Sequence, residues 1–98
     1  EKHPVAMPVA LHSRVAKDPA ERLTITITRE GALYAGAYPT RLAELAVLLR
    51  REQARQPNLT LNLRADRGTE HQFVAEVLEL SAAAGLGKVV FAAYQSEP

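Results

Sequence analysis

Two segments of this chain alternate apolar and polar residues without interruption. In LTITIT, residues 23–28, Leu23, Ile25 and Ile27 alternate with Thr24, Thr26 and Thr28. In LTLNLRA, residues 59–65, Leu59, Leu61 and Leu63 alternate with Thr60, Asn62 and Arg64. A period of two sends successive side chains to opposite faces, so each segment predicts a strand with one buried face and one wet face. KVVFAAY, residues 88–94, is apolar at both parities and predicts a strand that needs a second covering.

Between the first two strands, REGA offers Gly31 for a tight reversal, and LYAGAY is expected to return as the partner of a hairpin that Pro39 ends. The period then changes. Leu42, Leu45, Ala46 and Leu49 recur at helical spacing until Pro57, predicting a first helix over about 41–55 with Thr40 as its N-cap. Phe73, Val77, Leu80 and Ala84 form the inward stripe of a second helix over about 70–84. It opens on a Thr69–Gln72 capping-box spacing and ends at Gly85. Strand, helix and strand over residues 59–94 make a crossover unit, whose two strands should be parallel. Together with the hairpin, this predicts an α+β fold: a two-layer sandwich with two helices packed on one face of a mixed β-sheet. Val90, Ala92 and Tyr94 are its expected apolar exceptions on the open face.

The first 20 residues carry three prolines, Pro4, Pro8 and Pro19, and no sustained period. Proline removes a backbone donor and holds its predecessor extended, so residues 1–20 are expected to be a flexible linker arm, with the folded domain over 21–96. No apolar run approaches the roughly 20 residues that span a bilayer.

Composition removes several functions. Twelve basic and eleven acidic side chains leave a formal charge of +1, which gives no field to draw the chain onto nucleic acid. Tyr34, Tyr38 and Tyr94 could stack bases on a sheet, but they are neither clustered nor set in a basic face. Cysteine is absent, so disulfides and thiolate metal sites are excluded. His3, His12 and His71 lack metal-site spacing, and neither a metal nor a cofactor is expected. Ser13, Ser81 and Ser96 have no nucleophile-elbow pattern, and Arg50, Arg51 and Arg55 are explained by the negative end of the first helix.

The densest chemistry is in LRADRGTEHQFV, residues 63–74. Asp66, Glu70 and His71 could serve a small α/β enzyme as acid–base residues, and that is the alternative reading. The simpler reading makes Asp66, Arg67 and Gly68 a turn leaving a strand. Asp66 would then accept hydrogen bonds from turn amides, and Glu70 would lie at the positive end of the second helix.

The order of LTITITREGALYAG, a helix, PNLTLNLRAD and then FVAEVLELSAAAGLGKVVFAAY resembles the periplasmic domain of the ExbD/TolR family. The matching residues are Glu30 and Gly31 in the hairpin turn, Pro57 and Asn58 before the strand, Ala65 and Asp66 at its end, and Ala84, Gly85 and Val89 after the second helix. MPVA, residues 7–10, is similar to the family's Leu-Pro-x-Ala segment with Met7 in place of leucine, and LRAD leans towards the ExbD branch. His71 stands where a tyrosine is common in the family.

The resemblance implies an accessory subunit of a proton-motive-force motor in the inner membrane of a Gram-negative bacterium, with no enzymatic activity. It implies a transmembrane helix ahead of these residues, whose aspartate takes part in proton conduction inside an ExbB- or TolQ-like channel. It also implies a periplasmic location, a homodimer, contact with a TonB- or TolA-like segment and, in TolR members, contact with peptidoglycan. Sheet edges can accept an added strand. The expected partner-binding residues are therefore Leu33, Tyr34, Ala35, Gly36 and Ala37 of the hairpin, with Lys88, Val89, Val90, Phe91, Ala92 and Tyr94 of the last strand. Val90, Ala92 and Tyr94 are the expected dimer interface.

Overall fold

The computed structural model describes residues 22–97. The expected arm over residues 1–20, with MPVA, His3 and His12, lies outside these described residues. Seven elements follow in order: β1 (Arg22–Ile27), β2 (Leu33–Ala35), β3 (Tyr38–Thr40), α1 (Leu42–Arg55), β4 (Thr60–Asp66), α2 (His71–Ala83) and β5 (Lys88–Tyr94). The strands form one mixed sheet in the order β3-β2-β1-β4-β5. β1 pairs antiparallel with β2 and parallel with β4, which in turn pairs parallel with β5, as the crossover pattern predicts.

The two alternating segments occupy the middle of the sheet because each has one wholly apolar face. Leu23, Ile25 and Ile27 of β1 lie beside Leu61, Leu63 and Ala65 of β4, all buried. Leu45, Leu48 and Leu49 of α1 and Val77 of α2 close over them, with Phe73, Leu80 and Ala84 packed against the same core. Each fully buried leucine contributes about 1.5–3 kcal/mol relative to exposure. On the opposite face, the Asn62 amide donates to Thr24 Oγ1 at 3.5 Å and the Arg64 guanidinium to Thr26 Oγ1 at 3.1 Å. The polar parity of the strands thus ties neighbours together on the wet side.

Three local expectations are corrected. The return strand LYAGAY is two strands: Gly36, at φ +61°, and Ala37 turn the chain, and Pro39 lies inside β3 instead of ending a strand. Proline fits there because β3 is an edge strand, where a missing donor breaks no ladder on the open side. Thr40 closes β3, and Arg41 is the N-cap of α1; the Arg41 amide donates to the Glu44 carboxylate at 3.3 Å. Glu70, not Thr69, is the N-cap of α2. The Thr69 hydroxyl donates across the fold to the Thr28 carbonyl at 3.1 Å, and no side chain accepts a capping bond from the first amides of α2.

Candidate functional site

β5 is an edge strand with β4 on one side and no strand among the described residues on the other. Its register places Val89, Phe91 and Ala93 beside Leu61, Leu63 and Ala65, on the helix side of the sheet. There the sequence expectation needs a correction. The helices were expected to cover that face, leaving Val90, Ala92 and Tyr94 as the exceptions. Instead β5 is open on both faces: Val90 is 54% exposed on the outer side, while Phe91 is 53% and Val89 39% exposed on the helix side. The reason is where α2 settles. Its inward residue Val77 seals against the buried core, so the helix leaves the last strand uncovered.

The result is an open cleft of about 600 Å³ between α2 and β5. Val74 and Leu78 of α2 form one wall, and Ala65, Phe91 and Ala93 line the sheet side. Asp66, Arg67, Thr69 and His71 lie at the end where β4 passes into α2. Val74 and Leu78 were not among the residues expected to bind. A signal for them was in the sequence: Val74, Leu78 and Ala82 make a second apolar stripe at i, i+4 and i+8 beside the stripe of Phe73, Val77 and Leu80. That arc is wider than contact with one patch of sheet requires.

The other expected binding residues are placed differently. Leu33–Ala35 form β2, paired with β1 on one side and β3 on the other, so this segment has no free edge. Gly36 and Ala37 are exposed in the turn that follows. The two expected segments are therefore separated in the sheet, with β1 and β4 between β2 and β5. Ala92 is exposed and Tyr94 half-buried. The Tyr94 ring lies 4.6 Å from the Arg64 guanidinium, and its hydroxyl donates to the Ile27 carbonyl at 3.3 Å.

Asp66 is buried at the end of β4 and accepts hydrogen bonds at Oδ1 from the Gly68 amide at 2.7 Å and Arg29 Nε at 3.3 Å. This is the turn-amide role read from the sequence. Oδ2 is sealed from solvent without a hydrogen bond of good geometry. The nearby Ser96 hydroxyl, then the Gly68 amide and the Arg29 guanidinium, hold the carboxyl below the usual carboxylate range, against the opposing effect of burial. A carboxylate so held is an acceptor committed to the turn, and the direction of its shift opposes a general-acid role at neutral pH. His71 and Glu70 are exposed at the start of α2. Among the described residues no group of three or more His, Cys, Asp or Glu side chains could hold a metal ion. Nor is any helix there long and apolar enough to cross a membrane.

The arrangement combines a backbone edge that no strand among the described residues pairs with, an apolar cleft beside it and a hydrogen-bonded polar turn at one end. A comparison with curated proteins found no match. A family model described as "Biopolymer transport protein ExbD/TolR" matches residues 1–96, nearly the whole chain. The chain therefore belongs to the ExbD/TolR family of biopolymer transport proteins.

Proposed function

We propose that this chain is the periplasmic domain of an accessory subunit in a proton-motive-force-driven inner-membrane motor of ExbB–ExbD–TonB or TolQ–TolR–TolA type. In this reading it couples energy to the TonB- or TolA-like protein by protein–protein contact. A membrane helix preceding these residues would anchor it within the ExbB- or TolQ-like channel, with the domain in the periplasm of a Gram-negative bacterium. Peptidoglycan is a further contact if the chain follows the TolR branch.

The observation that carries the proposal is the β5 edge, which no strand among the described residues pairs with, in a domain of this family. Amides and carbonyls on such an edge accept an extended segment, and each added backbone hydrogen bond contributes roughly 0.5–1.5 kcal/mol net. Ordering a disordered segment offsets much of that gain, so a single segment binds weakly. Self-pairing through the outward Val90, Ala92 and Tyr94 would place two such edges in one assembly and raise the avidity. The test is a titration of the isotope-labelled domain with the periplasmic segment of a TonB-type protein, following backbone amide shifts. Shifts along Lys88–Tyr94 support the reading. Shifts confined to the helix faces around Arg51 and Glu79 overturn it.

A further inference from the structure

Strand capture at the β5 edge, on which this inference rests, explains the backbone but not the cleft beside it. We propose that the cleft between α2 and β5 selects the captured segment by its side chains: it takes the alternate apolar side chains of an extended strand supplied by a partner protein. Leu78 and Phe91 are then the specificity-determining residues.

The choice of a strand follows from three surfaces left open together. Among the described residues no strand pairs with the outer edge of β5. Phe91 and Leu78, 53% and 39% exposed, face the cleft on the helix side, and Val90 is exposed on the other face of the same strand. An amphipathic helix or a small apolar molecule in the cleft would cover Phe91 and Leu78 but leave the edge amides and Val90 in water. A strand paired to β5 covers all three, because its side chains alternate between the two faces while its backbone meets the edge. One parity enters the cleft against Val74, Leu78 and Phe91, and the other lies beside Val90. The opposite edge of the sheet is a poor competitor: β3 has three residues with Pro39 at its centre.

The segment this cleft recognises is therefore extended, apolar at every second position and polar between. Its register is fixed because a slip of one residue would turn the apolar side chains away from the cleft.

Two synthetic peptides of roughly seven residues, a common strand length, test this on the full 98-residue chain. One alternates leucine with threonine, and the other carries serine at every leucine position. The alternating peptide is expected to shift the β5 amides together with the side-chain signals of Leu78 and Phe91, and the serine peptide to bind roughly tenfold more weakly, or worse. Leu78→Asn should weaken the alternating peptide by a similar factor, while Val47→Asn, at an exposed apolar position on α1, should leave it unchanged; amide spectra of both variants report whether the fold is kept. Equal binding of the two peptides along β5 overturns the cleft's role and leaves edge capture standing. Failure of both peptides to engage β5 overturns both readings. Concentration-dependent shifts at Leu78 and Phe91 without peptide make a second copy the occupant, which also overturns the proposal.

Discussion

Arg29 and Asp66, 37 positions apart, meet at 3.3 Å where the β1–β2 turn crosses the end of β4. The contact has one wet partner and one dry one, since half of the Arg29 side chain is exposed and that of Asp66 is buried. Gly68 makes the approach possible, because a Cβ at that position would lie 2.5 Å from Arg29 Nε. The stretch that looks most like an active site in the sequence is thus a clasp joining β1, β4 and the start of α2.

The clasp gives the domain an acid limit. The Ser96 hydroxyl, the Gly68 amide and the Arg29 guanidinium hold the folded-state pKa of Asp66 below the usual carboxylate range. A depressed carboxylate contributes stability that is complete above the unfolded pKa and is lost as pH falls through the folded value. Thermal melts of the native chain should therefore be level from neutrality down to about pH 5 and fall below pH 4. Asp66→Asn should melt lower at neutral pH and show a smaller drop between pH 5 and pH 3. An equal drop in both proteins would place the acid sensitivity elsewhere.

Gly31 makes a second test of local backbone chemistry. Its φ is +93°, and a Cβ there would sit 2.7 Å from the Phe73 ring, which packs against the core. Alanine meets both a disfavoured backbone region and a ring with little room to move. Gly31→Ala should cost about 1–3 kcal/mol in urea unfolding. Gly36→Ala, also at positive φ but with open space around it, should cost less. Equal losses would mean that the approach to Phe73 adds nothing.

Glu52 is buried on the inward face of α1, and its carboxylate is held by Arg55 Nη1 at 3.0 and 3.1 Å. Removing the arginine leaves a dry carboxylate with its charge uncompensated, whereas removing the carboxylate frees an arginine that already reaches solvent. Arg55→Ala should therefore cost about 1–3 kcal/mol, while Glu52→Met, apolar and of similar length, should stay within about 1 kcal/mol of the native chain. Chemical denaturation of the two variants checks the order, and the reverse order would contradict the account.

The strands and helices are legible in the sequence because their periods are local: Leu23–Ile25–Ile27 and Leu59–Leu61–Leu63 each declare a face without reference to anything distant. What sequence reasoning missed depends on packing across the fold. Thr69 has the spacing of a helix cap, yet its hydroxyl goes to Thr28, which no local window contains. LYAGAY has a continuous apolar character that hides the turn at Gly36 and Ala37. The two apolar faces of β5 were visible, but the exposure of Phe91 depends on where α2 comes to rest over the sheet. For the same reason the doubly apolar character of β5 was legible, while the cleft that Val74 and Leu78 line beside it was not.

Val90 tests the proposed self-pairing. It projects from the outer face of β5, opposite the cleft, and is 54% exposed in the single chain. Since it packs little within its own domain, Val90→Lys should change folding stability by no more than about 0.5–1 kcal/mol, the range of surface substitutions. In a two-fold contact through Val90, Ala92 and Tyr94 the cost is different, because one substitution places two lysines in the same apolar interface and each must lose water or disrupt the packing. Self-association measured by sedimentation should weaken by roughly tenfold or more, a loss of at least 1.4 kcal/mol, while the urea midpoint barely moves. The cleft lies on the other face, so shifts at Leu78 and Phe91 caused by an alternating peptide should survive the substitution. An unchanged association constant for Val90→Lys would remove this face from the dimer and leave the β5 edge and cleft to be judged by the peptide titrations alone.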